Sequence, residues 1–175
     1  MDISLNYGKS QLSVSLPDTL AVKVIRKPEM PLLDDPVAAL EAAFANPDGG
    51  APLAELAAGA TTACILICDI TRPVPNGIFL APLLRALLAA GLDKTNITIV
   101  VATGLHRPNE GDELAELVGD PWVLENFRVE NHFARDDAAH VSLGMTKSGT
   151  VVKIDKRFVN ADVRIATGLV EPHFM

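Results

Sequence analysis

The chain is poor in several features that would give a function away. Of its 175 residues only two are cysteines. These are Cys64 and Cys68, both in one apolar run. On a strand, residues four apart share a face but lie about 13 Å apart, beyond the reach of a disulfide. The spacing is not that of a Cys-x-x-Cys metal or redox pair either. Both read as buried thiols in a reducing cytoplasm. Positive charge is also short: 15 Lys and Arg against 22 Asp and Glu leave a net charge of −7. No basic stripe is available to neutralise phosphates, which argues against nucleic acid as a partner. No apolar stretch reaches the roughly 18 residues needed to cross a bilayer. The first residues, MDISLNYGKS, lack a basic segment followed by an apolar one, so no secretory signal is expected. There is no GxGxxG, no GxxxxGK[ST] and no GxSxG. The usual dinucleotide, P-loop and nucleophile-elbow readings therefore fail.

What is present is an ordinary globular composition, 49% apolar and 21% charged, with enough chain for a real core. Nothing reads as an internal domain boundary, so residues 1–175 are expected to form one α/β domain.

The organising stretch is ACILICDITRPVP, Ala63 to Pro75. A short apolar run, uncharged until Asp69, reads as a strand buried on both faces. Pro73 and Pro75 cannot continue it, because proline has no N–H for the ladder. The strand therefore stops and delivers Asp69, Thr71 and Arg72. Two further runs repeat the design. Ile97 to Thr103 is followed by Gly104, Leu105 and His106; Val163 to Thr167 is followed by Gly168, Leu169, Val170, Glu171, Pro172 and His173. Both contain Ala-Thr-Gly-Leu, and each places a histidine just past a strand end. Open α/β sheets bind ligands outside the carboxyl ends of their strands. If the three runs are parallel, Asp69, Arg72, His106 and His173 gather in one crevice.

The remaining elements support an α/β reading: a mostly parallel sheet flanked by helices, Rossmann-like and three-layered, with an N-terminal β-hairpin. Residues 2–7 and 11–16 alternate around Asn6-Tyr7-Gly8-Lys9, the pattern of a hairpin, and 20–25 could add a third short strand. Asp35-Pro36 opens a helix that stops near Asn46-Pro47, and 53–58 forms a second. A leucine-rich helix opens between Asn76 and Leu80 and closes at Gly91. Its N-terminus, close after Arg72, favours an anion. Helices are expected from Asn109 to Val118 and Trp122 to Phe127, and short strands at 128–131, 141–143 and 150–154. No helix follows 163–167, where a doubly wound fold would normally continue. The chain therefore reads as an incomplete N-terminal domain, the front part of a longer protein.

Arginine presents a planar fork that matches a carboxylate or phosphate, so Arg72 is the sharpest candidate; the plain alternative is a surface ion pair with Asp69. Histidine titrates nearest neutral pH, and a pair such as His106 and His173 suits acid–base work. They could instead bind a metal, but no third ligand with recognisable spacing stands out. Gly104 and Gly168 are expected to relieve crowding where the chain turns toward a ligand. His132 and His140 read as surface or packing residues.

These motifs resemble a known family. Asp69-Ile-Thr-Arg-Pro, Ala102-Thr-Gly-Leu-His-Arg-Pro and Gly168-Leu-Val-Glu-Pro-His are similar to the N-terminal domain of the lactate racemase family, the nickel-pincer nucleotide enzymes, in the same order and at comparable separations. The resemblance implies a racemase or epimerase of lactate or another 2-hydroxy acid. Its cofactor would be a nickel-bearing pyridinium nucleotide that takes hydride from the α-carbon and returns it to either face. It also implies His106 and His173 as the proton-exchanging pair, with Asp69, Thr71 and Arg72 lining the cofactor and substrate pocket. Whether Arg72 holds a cofactor phosphate or a substrate carboxylate stays open, as does a homo-oligomer. In the family the tethering lysine and a nickel-binding histidine come later than the last motif, so both are expected beyond Met175, and the segment as written should not turn over. At Asn131-His132 the next residue is Phe133, where the family has an acid. Two readings from other classes remain: a non-catalytic α/β module that binds a small anion, and a hydrolase using His106 with Asp69, for which no nucleophile is evident.

Overall fold

A computed structural model describes residues 1–26 and 28–171 of the chain. They divide into two compact units, Met1–Leu32 and Leu33–Met175.

In the first unit, β1 (Asp2–Tyr7) and β2 (Ser10–Ser15) pair antiparallel in unbroken register from Asp2–Ser15 to Tyr7–Ser10. Gly8 makes the turn at φ +57°, a conformation that costs glycine nothing. The third strand expected at 20–25 does not form. Leu20 folds back in a turn on the Pro17 carbonyl, and the following residues have no neighbouring strand to bond.

The second unit is built on a four-stranded parallel sheet. Its strands are β3 (Ala63–Cys68), β4 (Ile97–Ala102), β5 (Arg128–Asn131) and β8 (Val163–Ala166), in spatial order β5-β4-β3-β8. Side chains alternate across a strand, and the two faces differ accordingly. Ala63, Ile65, Ile67, Ile97, Ile99, Val101 and Val163 enter the main core. Helices α2 (Leu53–Ala57), α3 (Asn76–Ala89), α4 (Gly111–Val118) and α5 (Pro121–Asn126) supply most of the rest, with Leu92 and Phe127 from the loops, and α1 (Pro36–Ala45) packs the half-buried Phe44 against it. Asp35 caps α1 through its side chain, with proline at the helix start, as the sequence predicts; Asp120 caps α5 in the same way, so that helix begins at Pro121, one residue before the expected Trp122. Pro82 lies inside α3. Gly77, in the first turn of α3, lets that helix approach the end of α4: a Cβ there would sit 2.9 Å from the Gly119 carbonyl oxygen.

The opposite face is thinner. Cys64 and Val100 meet Ala161, Leu66 and Phe158, the last from α6 (Lys156–Val159). The hairpin of β6 (His140–Met145) and β7 (Val151–Asp155) leads into that helix. Asp155 caps it and binds Arg157 twice, at 3.0 and 2.6 Å. Arg157 continues to Glu130 at 2.8 Å and to the Asn131 carbonyl at 3.2 Å. Burial, with Asp155 beside it, pushes the Cys64 thiol up to about 11, which makes it an inert packing group. Cys68 is only half-buried.

Candidate functional site

The site is made where β3, β4 and β8 end. After Cys68 the chain turns: the Arg72 N–H bonds the Asp69 carbonyl at 3.1 Å. The Thr71 N–H and hydroxyl both donate to Asp69 Oδ1, at 3.1 and 2.5 Å. This short loop holds Asp69 inward, 5% exposed. After β4, the His106 N–H bonds the Thr103 carbonyl at 2.9 Å, and Gly104 takes φ +58°, a turn for which a side chain would be strained. That turn brings His106 back to β3, where its Nδ1 lies 2.5 Å from Asp69 Oδ2. Burial alone would raise the Asp69 carboxyl. The hydrogen bonds from the Thr71 hydroxyl, from His106 and from the Thr71 N–H together outweigh it and hold the group below the usual range. Asp69 is therefore an anion that accepts from His106 Nδ1–H. No described residue bonds Nε2, and the ring is more than half exposed.

The third strand end closes on the same place. The Thr167 N–H and hydroxyl bond the Leu66 carbonyl at 3.0 and 2.9 Å, and Glu171 lies 3.6 Å from Arg72 Nε. Arg72 also leans on Thr71, with one guanidinium nitrogen 3.3 Å from its hydroxyl. The alternative read from the sequence, an Arg72–Asp69 ion pair, is not what forms. Both Asp69 oxygens are already taken by Thr71 and His106. Asp69, Thr71, Arg72 and His106 thus stand together, while His173 lies outside the described residues. Gly168 borders an apolar cavity of about 530 Å³, with Val74, Pro75, Phe79 and Ile165. An added Cβ at Gly168 would meet nothing within 4 Å, so space does not require glycine there.

A polar cage that the sequence did not reveal supports these loops. Asn109, 1% exposed, accepts the Ile70 N–H at 3.2 Å and donates to Glu113 at 2.7 Å. Its backbone N–H and C=O pair with the Asn131 amide at 2.9 and 2.8 Å. Glu113, in the first turn of α4, takes the Arg107 guanidinium in two bonds of 2.5 and 2.6 Å. Arg107 and Asn109 draw its carboxyl down to about 2. The Thr103 hydroxyl bonds the His132 carbonyl at 2.5 Å, tying β4 to the end of β5. His132 and His140 bond each other, Nε2 to Nε2 at 2.8 Å, and His140 Nδ1 donates to the Asp136 carbonyl at 2.6 Å. Burial first, and the neighbouring His140 and Arg157 charges with it, lower the His132 pKa. Among the described residues no group of three or more His, Cys, Asp or Glu side chains is placed to hold a metal ion. No helix there is long and apolar enough to cross a membrane.

Comparison with known proteins gives this arrangement a context. A lactate racemase of Lactiplantibacillus plantarum is 38% identical over 135 residues, 77% of this chain and 31% of that relative. A lactate racemase of Thermoanaerobacterium thermosaccharolyticum is 33% identical over 99% of this chain and 41% of its own length. The chain therefore spans less than half the length of the curated relatives it matches. The solved structure of the lactate racemase apoprotein from T. thermosaccharolyticum superimposes with a TM-score of 0.80, covering 99% of this chain and 40% of that one. A Thermotoga maritima protein aligns at a TM-score of 0.51 over 66% of this chain and 26% of its own, at 20% identity, a likeness of fold alone. The lactate racemase N-terminal domain model matches residues 7–175, a span that holds every strand end described above. The chain belongs to the lactate racemase N-terminal domain family.

Proposed function

We propose that the chain provides acid–base and anion-binding groups of a racemase or epimerase acting on lactate or a related 2-hydroxy acid. The reading rests on the family and on one observation, the bond of 2.5 Å between Asp69 Oδ2 and His106 Nδ1. With Nδ1–H given to an ionised carboxylate, the Nε2 lone pair of neutral His106 faces outward. It is then the atom that accepts the hydroxyl proton as the α-carbon gives up its hydride, and it returns that proton when the hydride comes back. His173 would serve the opposite enantiomer. Asp69 fixes the tautomer and stabilises the imidazolium that forms. Arg72 offers its fork to the substrate carboxylate or to a cofactor phosphate. Its contact with Glu171 is single, long at 3.6 Å and well exposed, so an incoming anion can replace it at little cost.

The cofactor of this reading is the nickel-pincer nucleotide, which when bound takes up the hydride and gives it back. The residues present suit its anionic part, through Arg72. They supply no metal-ligand cluster among those described.

The test is nickel and mass analysis of the full-length gene product, co-expressed with the cofactor-making enzymes, followed by polarimetry on each lactate enantiomer. Stoichiometric nickel, a covalent mass increment and loss of optical rotation are expected. In His106→Ala the nickel and the mass should persist while the rate falls by about a hundredfold or more. A folded product with neither nickel nor added mass would sink the proposal and leave the small-anion module in its place.

A further inference from the structure

The loops after β4 and β5 face each other across a cavity of about 370 Å³. Its ionisable lining is entirely basic: His106, Arg107, His132 and Arg135, with no carboxylate among the lining residues. That is unusual in a chain of net charge −7. Three of the four already have a partner. His106 is bonded to Asp69, Arg107 to both oxygens of Glu113, and His132 to His140. Arg135 alone of the four has no hydrogen bond or ion pair to another described residue. The rest of the wall is apolar, with Leu105 and Phe133 both well exposed.

We propose that this cavity is a second anion seat, separate from Arg72, which takes the carboxylate or phosphate group of a small ligand on Arg135 and the body of that ligand against Phe133 and Leu105. A guanidinium fork matches either anion with two parallel hydrogen bonds. An exposed arginine held by no acid keeps that fork available. The seat also lies at the carboxyl ends of parallel strands, where ligands of such sheets bind. Its walls are held in place beforehand. The Thr103 hydroxyl fixes the His132 carbonyl, the Asn109–Asn131 amide pair joins the two loops, and the Asp136 N–H closes a turn on the Phe133 carbonyl at 3.0 Å. Preorganised loops lose little entropy when a ligand arrives. Arg72 belongs to the other side of the site, toward β8 and Glu171. The two cations can therefore serve two anions, or the two ends of one ligand.

The experiment is calorimetric titration of the 175-residue chain with inorganic phosphate and, separately, with oxalate, in a weakly ionic buffer free of other polyvalent anions. A saturable event that depends on Arg135 is expected with at least one of the two anions, beside any event at Arg72, and the stronger of them identifies the preferred group. Arg135→Ala should weaken it about tenfold or more, while Arg72→Ala leaves it within about twofold. Because Arg135 is exposed and bonds none of the described residues, its replacement should keep the circular dichroism spectrum of the parent. A full set of binding events at unchanged affinity in Arg135→Ala, loss of the Arg135-dependent event in Arg72→Ala, or no saturable binding of either anion up to about 10 mM would each overturn the proposal. None of those results bears on nickel content or lactate turnover, so the seat and the racemase reading fail separately.

Discussion

Asp69 and Asp155 are a matched pair of aspartates. Both side chains are 6% exposed, both follow the last residues of a strand or close it, and both are held ionised by short-range hydrogen bonds that outweigh burial. They differ in the partner. Asp155 faces Arg157, a cation that cannot release its proton and whose donors go to Asp155, Glu130 and the Asn131 carbonyl. Nothing in that assembly is left to act on a ligand, and it fastens α6 and β7 to the end of β5. Asp69 faces His106, a group that can take and give a proton and whose second nitrogen has no partner among the described residues. Equal burial thus yields a rivet in one place and a candidate acid–base dyad in the other. The chemistry of the partner decides which.

The largest break in this comparison is expected on the rivet. Asp155→Ala leaves Arg157 with Glu130 and the Asn131 carbonyl and strips the cap from α6. Removing one member of a buried ion pair strands the other, so we expect a loss of about 3 kcal/mol, read from the urea midpoint at constant m. A loss well below about 1 kcal/mol would show that the pair is solvated in practice and that the comparison with Asp69 is mis-drawn. Next comes the cage beneath the dyad. Asn109→Ala removes the acceptor of the Ile70 N–H and one donor to Glu113 at a site 1% exposed. Leaving a buried N–H unpaired costs about 2 kcal/mol. Asn109→Asp should recover part of this, since it keeps the acceptor but sets a carboxylate against Glu113. Gly77→Ala tests packing with no charge involved. Its Cβ would press on the Gly119 carbonyl, which is backbone and cannot swing aside, so a cost of about 1–2 kcal/mol is expected. A stable Gly77→Ala protein would mean that α3 and α4 separate more readily than their contact suggests.

How much of this could be read beforehand follows from the range of each signal. The strands at 63–68, 97–102 and 163–166 were legible because a buried parallel strand is a continuous apolar run, and the residues that end each run are next to it in sequence. The approach of Asp69 and His106 followed from parallel pairing of β3 and β4. Asn109 and Asn131 gave no such signal. They are two ordinary amides 22 residues apart, and only the fold shows that one sits on the other. Arg157 was hidden in the same way, since its acid partners lie at positions 130 and 155. The segment 20–25 failed for the opposite reason. Its apolar residues were a local signal for a strand, but a strand needs a neighbour, and none among the described residues pairs with it. Arg72 shows the limit within the site itself. Its sequence neighbour Asp69 was the obvious partner, yet Thr71 and His106 had already filled that carboxylate, and the pairing passed to Glu171.

The smallest effect on stability, and the sharpest on the comparison, is expected from Asp69→Asn. The amide keeps the size of the side chain and can still accept from Thr71, so at neutral pH the loss should be about 1 kcal/mol or less. The pH dependence gives the sign. A carboxyl held below its ordinary value stabilises the fold fully above about pH 4, where the unfolded aspartate is ionised, and loses that contribution as pH falls through the folded value. The difference between parent and Asp69→Asn should therefore shrink in acid, below about pH 4. A difference that grows there would mean that Asp69 is held protonated in the fold. Proton exchange at His106 should respond far more than stability does. An amide at this position can turn its NH₂ toward Nδ1, which makes that nitrogen the acceptor and puts the ring proton on Nε2. A neutral His106 of that tautomer cannot take a hydroxyl proton, and turnover in the loaded full-length protein should fall by about a hundredfold. Asp155→Asn has no such consequence to offer, because arginine has no tautomer to exchange. A large drop in rate at almost constant stability for Asp69, against a large drop in stability for Asp155, is the pattern expected if the two aspartates differ only in the group they face.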